Sequence, residues 1–355
     1  MTIDTQTAAL TPPAMAKVFV CILNWNKRDE TLHCIQAVLA QDYRNLRVVV
    51  VDNGSTDSSV SALRALGTRI DLIENQENLG FTGGCNAGIR HALAHGADYV
   101  WLLNNDSECE PGTLSLLVAY AEARQDVGMV SPIIADLRSR VDIFAVGWID
   151  VVNGIVGQTA DAAGAEAMQD RYPGQIMLKG TALLLKRCLI ERIGFLDERF
   201  FAYCEDNDYS VRCAAGGFRA VCVARARIYH DEGIPGGGWR KPHAYYYAAR
   251  NGILFWRKHA RGLAAWKYAR WQACTLFRLL AREGYGKAET AAFADGLWSG
   301  LCGGTGRWEP SHFSHHMPYV LRRIFLAMPV LSLRLMEARP SDVLRALRPC
   351  PRTPR

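Results

Sequence analysis

The chain has 355 residues, long enough to bury a full core in one large domain with an appendage. Its composition is ordinary for a globular protein, and the net charge of +6 says little by itself because the charge is unevenly placed. The 11 cysteines are scattered and form no CxxC pair, which argues against zinc and thioredoxin-like sites and for reduced, mostly buried thiols in the cytoplasm.

Residues 1–16 lack a basic start and an apolar core, so they read as a disordered tail and not as a signal peptide. Residues 18–23 form a short apolar run, a buried strand. Residues 28–40 follow as a helix, with Leu32, Ile35, Val38 and Leu39 near helical spacing. A second strand is expected over 46–51, a helix over 57–66, a short strand over 70–73, a helix over 84–95 and a strand over 99–103. Pro111 opens another helix, where proline fits a first turn, and 127–134 is again strand-like. Such alternation implies an α/β fold with a mostly parallel sheet.

The pattern then changes. Residues 142–157 carry Asn153-Gly154 among apolar residues and suit a hairpin. A strand over 176–185 is interrupted by Lys179-Gly180-Thr181. Helices over 186–193 and 205–215 and a strand over 218–223 complete a mixed second half. From His243 the chain turns helical and basic, with Gly303-Gly304-Thr305-Gly306 as a loop before the last helices. No stretch reaches the ~20 uninterrupted apolar residues a membrane helix needs. The resulting division is 17–135 for a nucleotide-sugar half, 136–242 for an acceptor half, 243–348 for a helical basic region and 349–355 for a tail.

Polar clusters at the ends of apolar runs carry the chemistry. Val48-Val49-Val50-Val51-Asp52 breaks into Asn53-Gly54-Ser55-Thr56-Asp57, which delivers a carboxylate to the C-terminal edge of an open sheet. Asp52 can accept the N3–H of uracil or thymine or hold a ribose hydroxyl; it can equally serve as a turn acid. Residues 78–88 place four glycines ahead of a helix, where backbone can approach a diphosphate or base and helix-end N–H groups are free to bind it. No Gly-Lys-Ser/Thr follows, so this is not a P-loop. Asp106 closes the strand ending Asn104-Asn105, and can supply one carboxylate to Mg²⁺ or Mn²⁺ with Asn104 as a neutral oxygen nearby, or else cap the next helix. Glu205-Asp206-Asn207-Asp208 opens a helix after Phe200-Phe201-Ala202-Tyr203; 205 and 208 share a face while 206 points elsewhere. Acids suit a first helical turn, and an acid beside aromatic residues is also how a general base is kept reactive. His230 stands before the glycine-rich residues 233–238, a lid candidate, and is either structural or a metal or diphosphate ligand.

Taken together, Ile22-Leu23-Asn24-Trp25-Asn26, Val51-Asp52-Asn53-Gly54-Ser55-Thr56-Asp57, Asn78-Leu79-Gly80-Phe81, Leu103-Asn104-Asn105-Asp106, Gly194-Phe195-Leu196-Asp197-Glu198-Arg199-Phe200-Phe201, Glu205-Asp206, His230 and Arg250-Asn251 resemble the family 2 glycosyltransferases, in their bacterial rhamnosyltransferase-like branch. The resemblance spans about residues 18–258. It implies a GT-A fold, a Rossmann-like nucleotide-binding mixed sheet flanked by helices, here with a C-terminal helical basic extension. It implies an inverting transfer of one sugar, with L-rhamnose from dTDP-rhamnose the expected case. Asp206 would be the general base, Asp106 the last residue of a DxD metal motif, and His230 a metal or diphosphate contact. Asn24, Asp52, Asn78, Gly80, Phe81, Asn86, Asn104, Asn105, Gly180, Thr181 and Glu205 would contact the nucleotide-sugar. Asn104 stands where the first acid of DxD belongs, which lowers the charge available to a metal. Processive synthases of the family carry Gln-x-x-Arg-Trp; here Arg270-Trp271 is preceded by Lys267, so single addition fits better.

Two rivals differ in class. A nucleotidyltransferase would have a glycine-rich stretch with a basic residue after the first strand, where this chain has Asn24-Trp25-Asn26. A carbohydrate- or nucleic-acid-binding module would leave Asp106 and Asp206 unexplained, and no nucleic-acid partner is expected. Residues 233–282 hold ten Lys/Arg and no acid, interleaved with Trp and Tyr. That pattern suits an anionic membrane surface on the inner face of the plasma membrane, where a glycan or polyprenyl-diphosphate-linked acceptor would lie; pairing with acids of the catalytic domain is the alternative.

Overall fold

The structure, a computed structural model, describes residues 15–231, 241–260, 264, 267–268 and 288–310. The chain begins with β1 (Val18–Asn24), α1 (Arg28–Leu39), β2 (Leu46–Asp52), α2 (Ser59–Arg64), β3 (Asp71–Glu74), α3 (Gly80–Ala94) and β4 (Tyr99–Asn104). These strands lie in the order β3-β2-β1-β4, all parallel. Alternation along β1 explains the layering. Val18, Val20 and Ile22 join Cys34, Ile35 and Val38 of α1 on one face. Phe19 and Cys21 join Cys85 and Ile89 of α3 on the other. A sheet buried on both sides needs continuous apolar strands, which is what these segments supply.

The second half adds β5 (Ser107–Cys109), α4 (Thr113–Glu122), β6 (Val127–Asp136), β7 (Asp142–Phe144), β8 (Val146–Asp150), β9 (Ile155–Thr159), α5 (Ala162–Arg171), β10 (Ile176–Met177), β11 (Ala182–Lys186), α6 (Arg187–Ile193), α7 (Glu205–Ala215) and β12 (Arg219–His230). The main sheet continues β4-β11-β6-β12-β5, with β7 on β6, and becomes mixed because β11 runs antiparallel to both β4 and β6. A small antiparallel sheet, β10-β8-β9, contains the expected hairpin. The expected α/β fold with a mixed sheet flanked by helices is present. Beyond it lie α8 (Pro242–His259) and α9 (Ala288–Leu301), packed on each other.

Several boundaries differ from the sequence expectation, each for a physical reason. The strand expected over 176–185 is two strands in two sheets, and Lys179-Gly180-Thr181 is the crossing between them. The strand expected over 218–223 runs on to His230, bent by an irregularity between Val223 and Arg227, and so carries His230 to the edge of the sheet. Helix α3 begins at Gly80, not Gly84. Gly80 has φ +75, and Gly84 lets the helix approach β1 so closely that a Cβ there would sit 2.3 Å from Leu23 Cδ1. The glycines therefore serve backbone conformation and helix–strand packing. Nine cysteines among the described residues are free thiols, and most are buried. No described helix is long and apolar enough to cross a membrane.

Candidate functional site

The parallel register brings the strand ends level, with Asn24 opposite Asp52 and Leu23 opposite Asn104. Behind that edge runs a buried polar chain. Asn24 Nδ2 donates to Asp52 Oδ1 at 2.7 Å. Thr31 Oγ1 donates to Asn24 Oδ1 at 2.7 Å, and Asn105 Nδ2 donates to Thr31 Oγ1 at 2.8 Å. The other oxygen of Asp52 accepts from Ser55 N–H at 3.0 Å. Asp52 is 1% exposed, and its carboxylate ties Asn24 to the loop after β2. Asn24 and Asn105 are likewise buried in the scaffold.

The loop at 78–82 is also self-bonded. Asn78 Oδ1 accepts from Gly80 N–H at 2.8 Å and from Asn53 Nδ2 at 3.0 Å. Thr82 N–H donates to the Phe201 carbonyl at 3.1 Å. The expectation that helix-end N–H groups here are free for a diphosphate is thus corrected at Gly80 and Thr82, whose N–H groups have partners within the protein. Asn86 is drawn away from the edge. Its amide bonds the Leu196 backbone at both N–H and C=O (3.0 and 2.9 Å) and reaches Glu198 at 2.9 Å, pinning the segment before α7 to α3.

At the far side of β4 the chemistry is open to the edge. Asp106 lies 3.0 Å from His230 Nε2 through one oxygen and 2.7 Å from Lys27 Nζ through the other. Burial raises its carboxyl, but His230 and Lys27 outweigh that and hold it well below the usual carboxylate range. Asn104 Nδ2 faces the same His230 nitrogen at 3.3 Å. The chain spacing gave no sign of Lys27, which stands between strand β1 and helix α1.

Asn104 N–H donates to the carbonyl of Thr181 at 2.9 Å, and Gly180 N–H donates to Asp206 Oδ2 at 3.1 Å. The crossing residues thus join the Asn104 strand end to the start of α7. Asp206 Oδ1 accepts from Asn207 N–H at 2.8 Å. A Cβ on Gly180 would lie 3.4 Å from both Glu205 Oε1 and Phe81 Cε1, so Phe81, Gly180, Glu205 and Asp206 border one space. The expected division of the acids holds. Glu205 and Asp208 are buried, whereas Asp206 is only partly so. Burial and then the charge of Asp206 push the Glu205 carboxyl well up, and its Oε2 has no hydrogen-bond partner among the described residues. Of the two, Glu205 is pushed further up, and the proton affinity of Asp206 is raised by burial against its two N–H bonds. Asp208 is paired with Lys258 at 2.7 Å, Arg212 at 2.8 Å and His259 at 2.6 Å.

No group of three or more His, Cys, Asp or Glu among the described residues could hold a metal. A hard divalent cation takes one or two protein carboxylates and completes its shell with phosphate oxygens and water. Asp106 with the Asn104 side-chain oxygen fits that smaller demand, and His230 Nε2 is the ring nitrogen turned to this pair, its buried Nδ1 having no partner among the described residues.

The basic segment bonds to the rest of the protein at several described positions. Lys258 reaches Asp197 and Asp208, Arg257 reaches the carbonyl of Gly300 at 2.9 Å, Lys267 that of Asn153 at 2.7 Å, and Arg250 is fully buried. Trp256 is buried and stacked on Tyr268 at 5.4 Å. Arg250 is thus internal, whereas Lys241, Arg257, Lys258 and Lys267 are exposed. Arg240, Arg261, Arg270, Arg278, Arg282, Trp266, Trp271 and the glycine-rich lid candidate at 233–238 lie outside the described residues.

Residues 19–148 match the model of glycosyl transferase family 2. The chain is 26% identical over 310 residues to the galactofuranosyltransferase GlfT1 of Mycobacterium tuberculosis, covering 76% of this chain and 97% of that one. It is 27% identical over 207 residues to the N-acetylglucosaminyl-diphospho-decaprenol L-rhamnosyltransferase of the same organism, covering 53% of this chain and 67% of that one. Among solved structures, the Pyrobaculum calidifontis mannosyltransferase PcManGT in complex with GDP-Man and Mn²⁺ superposes with a TM-score of 0.52 at 20% identity, over 90% of this chain and 88% of that one. Staphylococcus aureus TarS 1–349 in complex with UDP-GlcNAc gives 0.51 at 14% identity, over 80% of each chain.

Proposed function

As the chain belongs, through residues 19–148, to the family 2 glycosyltransferases, we propose that it transfers one sugar from a dTDP- or UDP-sugar, with inversion, to a hydroxyl of a lipid-linked glycan. The enzyme class follows from the family; the donor, the acceptor and the residue roles are inferred. L-Rhamnose from dTDP-rhamnose is the favoured donor, because rhamnosyl transferases recur among the relatives, one acting by name on a diphospho-decaprenol and one a dTDP-rhamnosyl transferase of Shigella flexneri.

The observation that carries the reaction is the short path Asp206–Gly180–Thr181–Asn104, which sets a carboxylate of raised proton affinity beside the strand end bearing Asp106. Asp206 accepts the proton of the acceptor hydroxyl as that oxygen forms its bond to the anomeric carbon. The bond from that carbon to the diphosphate oxygen breaks, and its electron pair leaves with the nucleoside diphosphate. Attack and departure on opposite faces invert the configuration. Lys27, on Asp106, brings positive charge to the side where the diphosphate departs, and His230 sets the other Asp106 oxygen. Asp106, Asn104 and His230 would hold Mg²⁺ or Mn²⁺, which when bound neutralises charge on the leaving diphosphate. Asp52 and Asn24 act one layer back, shaping the 52–57 loop against which the nucleobase rests.

A lipid-linked acceptor places the enzyme peripherally on the inner face of the plasma membrane; flotation with anionic against neutral vesicles tests that placement. The central experiment is a thermal-shift screen with dTDP, UDP and GDP, each with Mn²⁺ or EDTA. Stabilisation by dTDP or UDP above GDP is expected, and stabilisation by none of them overturns the proposed donor class.

A further inference from the structure

The segment leading into Asp206 has an unusual backbone. Phe201, Tyr203 and Cys204 all have positive φ (63, 68 and 67), and none is glycine. Side chains disfavour that region, so such a run persists only where its surroundings over-determine it. The determinants come from α8. Asn251 Nδ2 lies within hydrogen-bond distance of three carbonyls of the segment, those of Phe200 (2.8 Å), Ala202 (2.6 Å) and Tyr203 (2.7 Å). Arg250 Nη2 donates to Phe200 O at 2.7 Å and to Arg199 O at 3.3 Å, Nη1 donates to Gly306 O, and Nε donates to Asn251 Oδ1 at 2.8 Å, which sets the orientation of that amide.

Both side chains are 0% exposed. Among the described residues Arg250 has no carboxylate partner; its neighbours are carbonyls and the rings of Tyr246 and Tyr247, at 5.5 and 4.9 Å. A guanidinium is costly to bury, and packing alone would be served by an apolar side chain. Its five fixed donors suit the one task visible here, gathering backbone carbonyls into a conformation they would not otherwise hold. The far end of the segment bears on the donor side, since Phe201 O accepts from Thr82 N–H and a Cβ on Gly80 would sit 2.4 Å from that same oxygen. Helix α8 also grips α7 itself, through Lys258 and His259 on Asp208.

We propose that Arg250 and Asn251 are positioning residues for sugar transfer, holding residues 199–204 so that α7 presents Asp206 to the acceptor while the Phe201 carbonyl fixes the start of α3. The proposal rests on Asp206 as the base. It makes α8 part of the active site's frame, so that a disturbance of the α8–α9 pair reaches the base through these two side chains.

The test is Asn251→Asp, which keeps size and the bond to Arg250 but cannot donate to the carbonyls. Three quantities are measured against wild type: kcat and acceptor KM with the donor whose nucleotide stabilises the protein, the Kd of that nucleotide diphosphate, and backbone hydrogen exchange. The expected result is a kcat lower by about 100-fold, the scale of a displacement of about 1 Å at the reacting groups. Nucleotide Kd should stay within about threefold, and exchange over 199–206 should quicken about tenfold or more with β1, β2 and β4 unchanged. Wild-type kcat despite faster local exchange would overturn the positioning role. So would exchange that quickens across the strands, which marks a residue of the fold at large. If Asn251→Asp does not fold, Arg250→Lys takes the same measurements, and failure of both to fold also overturns the proposal. The exchange readout does not depend on Asp206. Retained turnover in Asp206→Asn would therefore remove the assignment of the base while the hold on 199–204 is judged separately.

Discussion

Replacing Asp206 by Asn separates chemistry from stability. Loss of a general base costs about 10²–10⁴-fold in turnover, or about 3–5 kcal/mol of barrier. The carboxylate accepts from Gly180 N–H and from Asn207 N–H. An amide oxygen keeps one of these and its NH₂ opposes the other, a loss of about 1 kcal/mol. Against this stands a gain. Burial raises the proton affinity of Asp206, and its charge in turn raises that of Glu205. A carboxyl raised in the folded state binds more protons there than in the unfolded chain. Wild-type stability therefore falls as pH rises from the unfolded value, about 4, through the raised folded values. The variant has no Asp206 charge and relieves Glu205, so it escapes much of that fall. Melting temperatures at pH 5 and pH 8 should show the difference, variant minus wild type, becoming more positive at the higher pH. Nucleotide affinity by calorimetry should be retained. Turnover within tenfold of wild type would refute the base, and a difference that becomes more negative with pH would refute the electrostatic account.

Three further outcomes follow from the geometry. Gly80→Ala combines φ +75 with a Cβ 2.4 Å from Phe201 O and should cost at least about 2 kcal/mol in denaturant unfolding; unchanged stability would mean that the two loops do not press on each other. Asp106→Ala should abolish any Mn²⁺ response of nucleotide-diphosphate binding in calorimetry, and wild-type protein that binds equally well in EDTA would remove the metal from the site. Asp106, Asp197 and Asp208 all have carboxyls held below the usual range despite burial, by His230 and Lys27, by Arg199 and Lys258, and by His259, Arg212 and Lys258 respectively. Groups depressed in this way contribute stability that is complete above the unfolded value, about 4, and is lost as pH falls towards the folded values. The urea midpoint should therefore drop from about pH 4 to about pH 2, below the range in which the raised carboxyls of Glu205 and Asp206 act, and a flat profile there would refute these pairings.

The stretch from β1 to β4 was legible because its information is local. An apolar run ending in a polar residue states both the strand and the edge it reaches, and parallel pairing then aligns Asn24, Asp52 and Asn104 without further instruction. What periodicity could not reveal was which polar groups the scaffold consumes. Asp52 and Asn105 read as ligand contacts from their position, but a buried amide or carboxylate must first be satisfied, and Thr31, an unremarked residue on α1, completes their network. The stretch from β5 to β12 was read less well because its geometry is set across long sequence separations. Residues 176–185 look like one apolar strand with a flaw, and only the sheet registers reveal that Lys179-Gly180-Thr181 changes sheets and so brings Gly180 to Asp206. Likewise Arg250-Asn251 is a plain dipeptide in a helix until the carbonyls of 199–203 are seen around it. Charge counted along the basic stretch likewise leaves out Asp197 and Asp208, which arrive from elsewhere to meet Lys258.

The proposed base is singled out among the acids near the sheet edge by its environment. An acid that is to take a proton must be ionised before the reaction yet retain proton affinity. Asp106 and Asp208 are ionised, but their cationic partners make them poor proton acceptors. Glu205 is pushed up furthest, by burial and then by the charge of Asp206, and its Oε2 lies buried without a partner among the described residues. Asp52 is enclosed and bonded to Asn24 and Ser55. Asp206 meets both conditions. Its hydrogen bonds come from backbone N–H groups at Gly180 and Asn207, which with the charge of Lys179 nearby keep it ionised while burial keeps its affinity up. On the proposed reading the same four-residue acidic run supplies a base in Asp206, an acid of still higher proton affinity in Glu205 and, in Asp208, the anchor through which α8 holds the helix in place.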